Sequence, residues 1–208
     1  MSTPMGWWFA GFYDGFMERA EREVLGGWRK ALLADVEGEV LDLGAGTGAN
    51  VPFWSPKVDH VVAAEPDPAM ARRLRDRVRG DARIEVVPAA AEALPFADAA
   101  FDVVVSTLVL CTVRDLERSI AEIRRVLRPE GKLVFVEHVA SEQRPLRRFA
   151  QRALEPLWTP IAGGCHLTRR THVALERAGF RFESLTRESM RGALPIVRET
   201  VRGVARLR

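Results

Sequence analysis

Three observations predict an α/β fold of the Rossmann-like, doubly wound kind. Val40-Leu41-Asp42-Leu43 is an apolar run with one carboxylate, and it breaks into three alternate glycines at Gly44-Ala45-Gly46-Thr47-Gly48. His60-Val61-Val62-Ala63-Ala64 is a second apolar run, ending on the carboxylate Glu65 about one βαβ unit downstream. After them, short apolar runs alternate with segments of helical period. The runs number seven, expected as one sheet, mostly parallel with an antiparallel C-terminal strand and helices on both faces.

Taken in order, Trp8, Phe9, Phe12, Tyr13, Phe16, Met17 and Ala20 recur at helical spacing, which predicts an amphipathic helix from about 7 to 23 that Gly26-Gly27 ends. Its aromatic face either packs on the domain as a lid presenting Tyr13 or rests in a lipid interface. Trp28 to Val36 is a second short helix. Residues 1–37 would thus be a helical lid, and 38–208 the core of a single domain. After the glycine loop, Pro52 suits the first turn of a short helix, and Asp67-Pro68 starts another that Gly80 stops. Ile84 to Val87 and Phe101 to Val105 are strands three and four. A helix begins near Asp115 with Leu116, Ile120, Ile123 and Leu127 inside, and Pro129-Glu130-Gly131 turns the chain into the strand Lys132 to Val136. Leu146, Phe149, Ala153 and Leu157 mark a further amphipathic helix. Gly163-Gly164 opens a loop, Thr168 is placed to cap a helix that Gly179 ends, and Phe180 to Leu185 and Pro195 to Ala205 supply the last two strands.

The 208 residues suffice for one domain, and a hydrophobic content of 47% is enough for a sizeable core. The net charge of +3 comes from arginines spread over several helices beside nearly as many acids, a pattern of solvated faces that argues against a nucleic-acid partner. Cys111 and Cys165 have no C-x-x-C spacing, so no metal is expected. The N-terminus lacks a basic n-region and no run approaches about 20 apolar residues. The expectation is a cytoplasmic monomer or homodimer with no transmembrane anchor, peripheral membrane contact remaining open.

In open α/β sheets ligands bind beyond the carboxyl ends of the strands, so the residues just after each strand carry the chemistry. The glycine loop alone also satisfies the looser dinucleotide form G-x-G-x-x-A. Combined with Glu65, the Ala91-Glu92-Ala93-Leu94-Pro95-Phe96 turn and the Arg125-Val126-Leu127-Arg128-Pro129-Glu130-Gly131 corner, in that order and at that spacing, it resembles a class I S-adenosylmethionine-dependent methyltransferase.

That resemblance implies roles. Gly44, Ala45, Gly46 and Gly48 would offer backbone N–H groups to the cofactor's methionine carboxylate, and Glu65, followed by Pro66, would accept both ribose hydroxyls. Many members carry an Asp where this chain has Ala90, so adenine recognition falls to backbone groups around Ala91 or to Glu92. Ser106, Thr107 and Leu108 would pass beside the sulfonium, and Asp42 would organise the loop. The N/D-P-P-Y/F sequence of base and amide methylation is absent after strand four. Leu108, Val109 and Leu110 instead line an apolar acceptor pocket or ordinary core. His138, at the end of strand five, is the candidate proton acceptor, with a carbonyl-bonded structural histidine as the other reading. Cys111 reads as a small buried hydrophobe at the site, and Cys165-His166 lies in a loop of the kind that carries function.

More specific stretches are Thr107-Leu108-Val109-Leu110-Cys111, Val136-Glu137-His138-Val139, Leu154-Glu155-Pro156-Leu157-Trp158 and Gly164-Cys165-His166-Leu167-Thr168-Arg169. They resemble the alkyl thiol S-methyltransferases of the methyltransferase-like group and their bacterial relatives. The expected activity is methyl transfer to a small, largely apolar acceptor, sulfur favoured. Quinone, phenol or lipid headgroup acceptors, and a non-catalytic cofactor-binding role, are the alternatives.

Overall fold

The computed structural model describes residue 15 and residues 17–208. Tyr13 and most of the expected aromatic helix therefore lie outside the described residues. Seven strands form one sheet in the order β3-β2-β1-β4-β5-β7-β6. They are β1 (Gly38–Leu43), β2 (Val58–Ala64), β3 (Ile84–Val87), β4 (Phe101–Thr107), β5 (Leu127–His138), β6 (Phe180–Ser189) and β7 (Glu199–Leu207). The first five pair in parallel, and β7 runs antiparallel to both β5 and β6.

Alternation within each strand explains why the sheet is buried on both faces, since successive side chains point to opposite sides. Leu41, Leu43, Val104, Leu133 and Phe135 pack with Ile120 and Ile123 on one face. Val40, Val61, Val103, Val105 and Val134 pack with Leu33 and Val36 on the other. Among the described residues, α1 (Gly26–Leu33) leads into β1, and α2 (Pro68–Arg77), α3 (Leu116–Val126), α4 (Pro145–Ile161) and α5 (Thr171–Arg177) connect later strands. Asp67 caps α2 by accepting from the amides of Ala69 and Met70, and Asp115 caps α3 by accepting from that of Arg118.

Several expected boundaries move. Gly26-Gly27 does not end a helix: residues 17–20 are helical and run through a π-helical turn, Glu21–Leu25, into α1. The Gly26 amide reaches back to the Glu21 carbonyl, where a Cβ on Gly26 would stand only 3.0 Å from that oxygen. Buried Leu25, Trp28 and Leu33 offset the intrinsic cost of glycine in a helix. α2 stops at Arg77, short of Gly80, and β5 starts at Leu127, before the expected Pro129-Glu130-Gly131 turn. Thr168 caps nothing, because α5 begins three residues later behind Arg170, without a side-chain cap. Pro195 opens a 3-10 turn, Pro195–Val197, and the last strand begins only at Glu199.

α4 is amphipathic as expected, but its apolar row faces outward. Leu146, Phe149, Leu157 and Ile161 are 70% to 86% exposed. The helix docks through a polar residue instead: fully buried Gln151 accepts from the Ser141 amide and donates to the carbonyls of Ile196 and Val139. Among the described residues no helix is long and apolar enough to cross a membrane.

Candidate active site

The site is assembled at the carboxyl ends of β1, β2, β4 and β5. Gly44 and Gly46 both have positive φ, 59° and 60°. A Cβ on Gly44 would lie 2.7 Å from the Val109 side chain, so this glycine lets the β1 turn press against the turn after β4. Above Gly46 the space is open, the nearest atom to an added Cβ being the Gly44 carbonyl at 4.0 Å. A ligand can therefore lie directly on that backbone.

Glu65 is buried at the end of β2, with one carboxylate oxygen accepting from the Gly46 amide at 2.8 Å and the other from the Asp67 amide at 2.8 Å. Burial pushes its carboxyl above the ordinary range, against the pull of those two amides. Each oxygen keeps a lone pair for a hydroxyl donor. Pro66 beside it is exposed.

Asp42 sits beneath the loop, fully buried, and accepts from the Asn50 side-chain amide at 2.7 Å. Arg29 in turn donates to Asn50 and pairs with Glu21. Burial raises the Asp42 carboxyl to about 7, opposed by the Asn50 hydrogen bond and the Arg29 charge. Asn50 and Arg29 carry no local sequence signal for this role, since they reach the loop from a turn and a helix on either side of β1.

Glu92 makes a structural link that its position in the sequence does not announce. Its carboxylate accepts from the amides of Arg114 and Asp115 at 2.7 and 3.3 Å, tying the segment after β3 to the start of α3. Ala91 is buried. Arg125 binds the carbonyls of Leu94 and Phe96 and pairs with Glu122 and Asp98. Two of the stretches singled out in sequence are thus halves of one clamp.

The turn after β4 is held by a residue not singled out for any role, Glu137. It is fully buried on β5; one carboxylate oxygen accepts from the Ser106 hydroxyl at 2.7 Å and from the amides of Val109 and Leu110 at 3.1 and 3.0 Å, the other from the Cys111 amide at 3.0 Å. Burial raises its carboxyl, and these donors oppose the rise. Ser106 accordingly stands behind the turn, its hydroxyl spent on Glu137. Leu108 is a non-glycine residue at φ 59°, a conformation costing about 1–3 kcal/mol that the Glu137 bonds and the Leu108 amide's bond to Val136 over-determine. Thr107, just before it, is partly buried. Arg169 grips the far side of the turn through the carbonyls of Leu110 and Val113.

His138, next after Glu137, is 2% exposed. Its Nδ1 lies 3.7 Å from the sulfur of Cys165, and its Nε2 is buried without a partner. Cys111 joins them: the two sulfurs and a ring nitrogen of His138 all lie within 4.8 Å of one another. The Cys165 thiol is held well below its ordinary range by a hydrogen bond from Cys111, and the same contact, with burial, pushes Cys111 up. The sequence points to Cys111 and His138 separately, but nothing in it shows that Cys165 joins them, because the three come from separate segments. His166 falls outside it, its Nδ1 3.1 Å from a Glu155 carboxylate oxygen at the rim of a shallow hollow of about 490 Å³ between α4 and the 163–168 loop.

A doubly wound sheet with a β1 glycine turn, a carboxylate at the end of β2 and an antiparallel β7 between β5 and β6 defines a class I S-adenosylmethionine-dependent methyltransferase. The open face over Gly46 and the lone pairs left on Glu65 leave room for that donor, but the expected N–H donation by the loop is corrected: the amides of Ala45, Gly46 and Gly48 donate to the Ala64 carbonyl, to Glu65 and to the Ala45 carbonyl. A family described as "Methyltransferase domain" matches residues 41–135. The human thiol S-methyltransferase TMT1A is 36% identical over 176 residues, covering 83% of this chain and 72% of its own. Rat thiol S-methyltransferase TMT1B is 36% identical over 168 residues, 79% of this chain and 68% of its own. Among solved structures, an S-adenosylmethionine-dependent methyltransferase from Aquifex aeolicus superposes with a TM-score of 0.65 at 17% identity, over 97% of this chain and 98% of that one. The chain belongs to the family of TMT1A and TMT1B, and its methyl donor is S-adenosylmethionine.

Proposed function

We propose that the protein methylates the sulfur of small, largely apolar thiols. The observation that carries the reading is the buried cluster of two sulfurs and an imidazole beside the apolar turn after β4, where Leu108 is partly buried while Val109 and Leu110 belong to the core. Human TMT1A and rat TMT1B, by name thiol S-methyltransferases, match 83% and 79% of this chain and support the same acceptor.

S-adenosylmethionine supplies an electrophilic methyl group next to a sulfonium that leaves as a neutral thioether. In this reading the open face of the glycine turn and Glu65 would hold it, with Asp42 and Asn50 bracing the loop from below. The turn braced by Glu137, with Leu108 as its partly buried apolar side chain, would exclude water and place the acceptor against the methyl donor. His138, Cys111 and Cys165 meet the acceptor's polar end. A thiol is already a few per cent thiolate at neutral pH and strongly nucleophilic, so placement does more for it than a powerful base. A phenol, with a pKa near 10, needs more help.

The test is a homologous series of alkanethiols beside the alcohols of the same chain length. Each added methylene should raise kcat/KM about fourfold until the pocket is filled, since a buried CH₂ contributes roughly 0.8 kcal/mol. The alcohols should show no turnover. A flat series, or equal turnover of alcohols, would overturn the reading.

A further inference from the structure

The cluster of Cys111, His138 and Cys165 has the composition and spacing of a metal centre. We infer that these three residues form a zinc site with an open fourth position that takes the sulfur of the acceptor. The inference rests on the thiol reading above for the identity of that fourth ligand. The ion site itself rests on geometry alone.

A tetrahedral zinc ion has Zn–S distances of about 2.3 Å and Zn–N distances of about 2.0–2.1 Å, which puts neighbouring ligand atoms roughly 3.5–3.8 Å apart. The Cys165 sulfur and His138 Nδ1 are already 3.7 Å apart, and no pair in the cluster exceeds 4.8 Å. Small side-chain rotations close the remainder. Buried His138 meets only a sulfur at the nitrogen that faces the cluster, Nδ1. An imidazole bound to an ion through the nitrogen facing the sulfurs is fully engaged at that atom.

Each ligand is placed by backbone contacts made before any ion arrives. The Cys111 amide donates to Glu137, and its carbonyl accepts from the His166 amide at 2.9 Å. That bond draws the 163–168 loop onto the β4 turn. Gly164 permits the approach, because a Cβ there would stand 2.8 Å from the Thr112 carbonyl oxygen. His138 is the last residue of β5, paired with Thr200 of β7.

Two cysteines and one histidine are soft and borderline donors that select zinc over magnesium or calcium. Structural zinc sites close with four protein ligands, whereas catalytic ones keep three and an open position. Only three are gathered here among the described residues. The carboxylate of Glu137, adjacent in sequence to His138, is occupied by three amides and a hydroxyl, and the His166 ring faces Glu155.

The chemistry balances. The acceptor thiol gives its proton to solvent as its sulfur binds the ion in place of water. A sulfur lone pair then attacks the methyl carbon, the carbon–sulfonium bond breaks, and that electron pair leaves with S-adenosylhomocysteine. The new thioether is neutral, a weaker ligand than the thiolate, and departs. Cys111 and Cys165 remain thiolate ligands throughout, and nothing is oxidised or reduced.

The experiment measures metal content of the full chain after incubation with ZnCl₂ and desalting, and after reconstitution with CoCl₂. About one zinc per chain is expected, together with the thiolate-to-cobalt charge-transfer absorption of a tetrahedral site. Cys165→Ser should lose at least tenfold in zinc affinity while binding S-adenosylmethionine within twofold of the parent, which shows that the variant is folded. Should Cys111→Ser fail to fold, His138→Gln provides the second variant, with the same expected loss. Zinc at background level in a parent that binds S-adenosylmethionine, a Cys111–Cys165 disulfide in the active enzyme, or thiol turnover surviving complete removal of the ion would each overturn the inference while leaving the thiol reading in place. Conversely, one zinc per chain with no thiol methylated supports the ion site and overturns the acceptor reading.

Discussion

The Glu137 carboxylate and the Cys111 amide meet at 3.0 Å, and through this contact a buried charge on β5 fixes the turn that follows β4. The same carboxylate holds Ser106, Val109 and Leu110, so one residue positions the turn after β4, the Leu108 backbone and one sulfur of the cluster. Glu137→Ala would strand three buried amides and a hydroxyl. Unsatisfied buried donors cost about 1–3 kcal/mol each, and breaking a buried charged contact typically costs about 3–5 kcal/mol. A loss of at least about 3 kcal/mol in urea unfolding is expected. A loss under 1 kcal/mol would show that water replaces the carboxylate and that the turn does not depend on it.

Much of this architecture was legible in the sequence because it is local. Asp67-Pro68 and Asp115 read correctly as helix starts, since a capping side chain acts within three residues of itself. The glycine turn was legible because alternate glycines after an apolar run have few other uses. Glu137 was not, because a carboxylate at the end of an apolar run looks like any strand terminus until its donors, 26 to 31 positions away, are known. The Cys111, His138 and Cys165 cluster was hidden for the same reason: Cys165 and His138 are 27 positions apart and meet only when three segments converge. The link from Glu92 to the start of α3 was not legible, because its spacing suits a ligand contact as well as it suits the amides of Arg114 and Asp115.

Glu65 provides a test of the donor site. Charge-assisted hydrogen bonds contribute about 1.5–3 kcal/mol each, so Glu65→Ala should weaken S-adenosylmethionine binding at least tenfold by calorimetry. Glu65→Gln retains one acceptor oxygen and should fall between the two. NAD should not bind the parent. Equal donor affinity in Glu65→Ala would place the ribose elsewhere.

Asp42 gives stability a defined pH dependence. Burial raises its carboxyl in the folded protein to about 7, from 3.8 in the unfolded chain, so the folded state holds the proton more tightly. The contribution is complete below about pH 4 and is lost as pH rises through 7. Asp42→Asn, which keeps an oxygen for Asn50, has no proton to lose. Relative to the parent, this variant should gain about 2–3 kcal/mol between pH 5 and pH 8, read from urea unfolding at each pH. A constant difference between the two would mean that Asp42 is ionised throughout.

The central claim, that the acceptor atom is sulfur, is tested most directly by competition in one vessel. The enzyme is given S-adenosylmethionine with a deuterated methyl group and an equimolar mixture of a hydrophobic thiol, a phenol, a quinol and an amine of similar size, and the label is followed by mass. The account predicts that the methyl thioether forms at least tenfold faster than any other product, because the thiolate is present and nucleophilic at neutral pH while the site supplies placement more than base strength. Preferential labelling of the phenol, quinol or amine would contradict it.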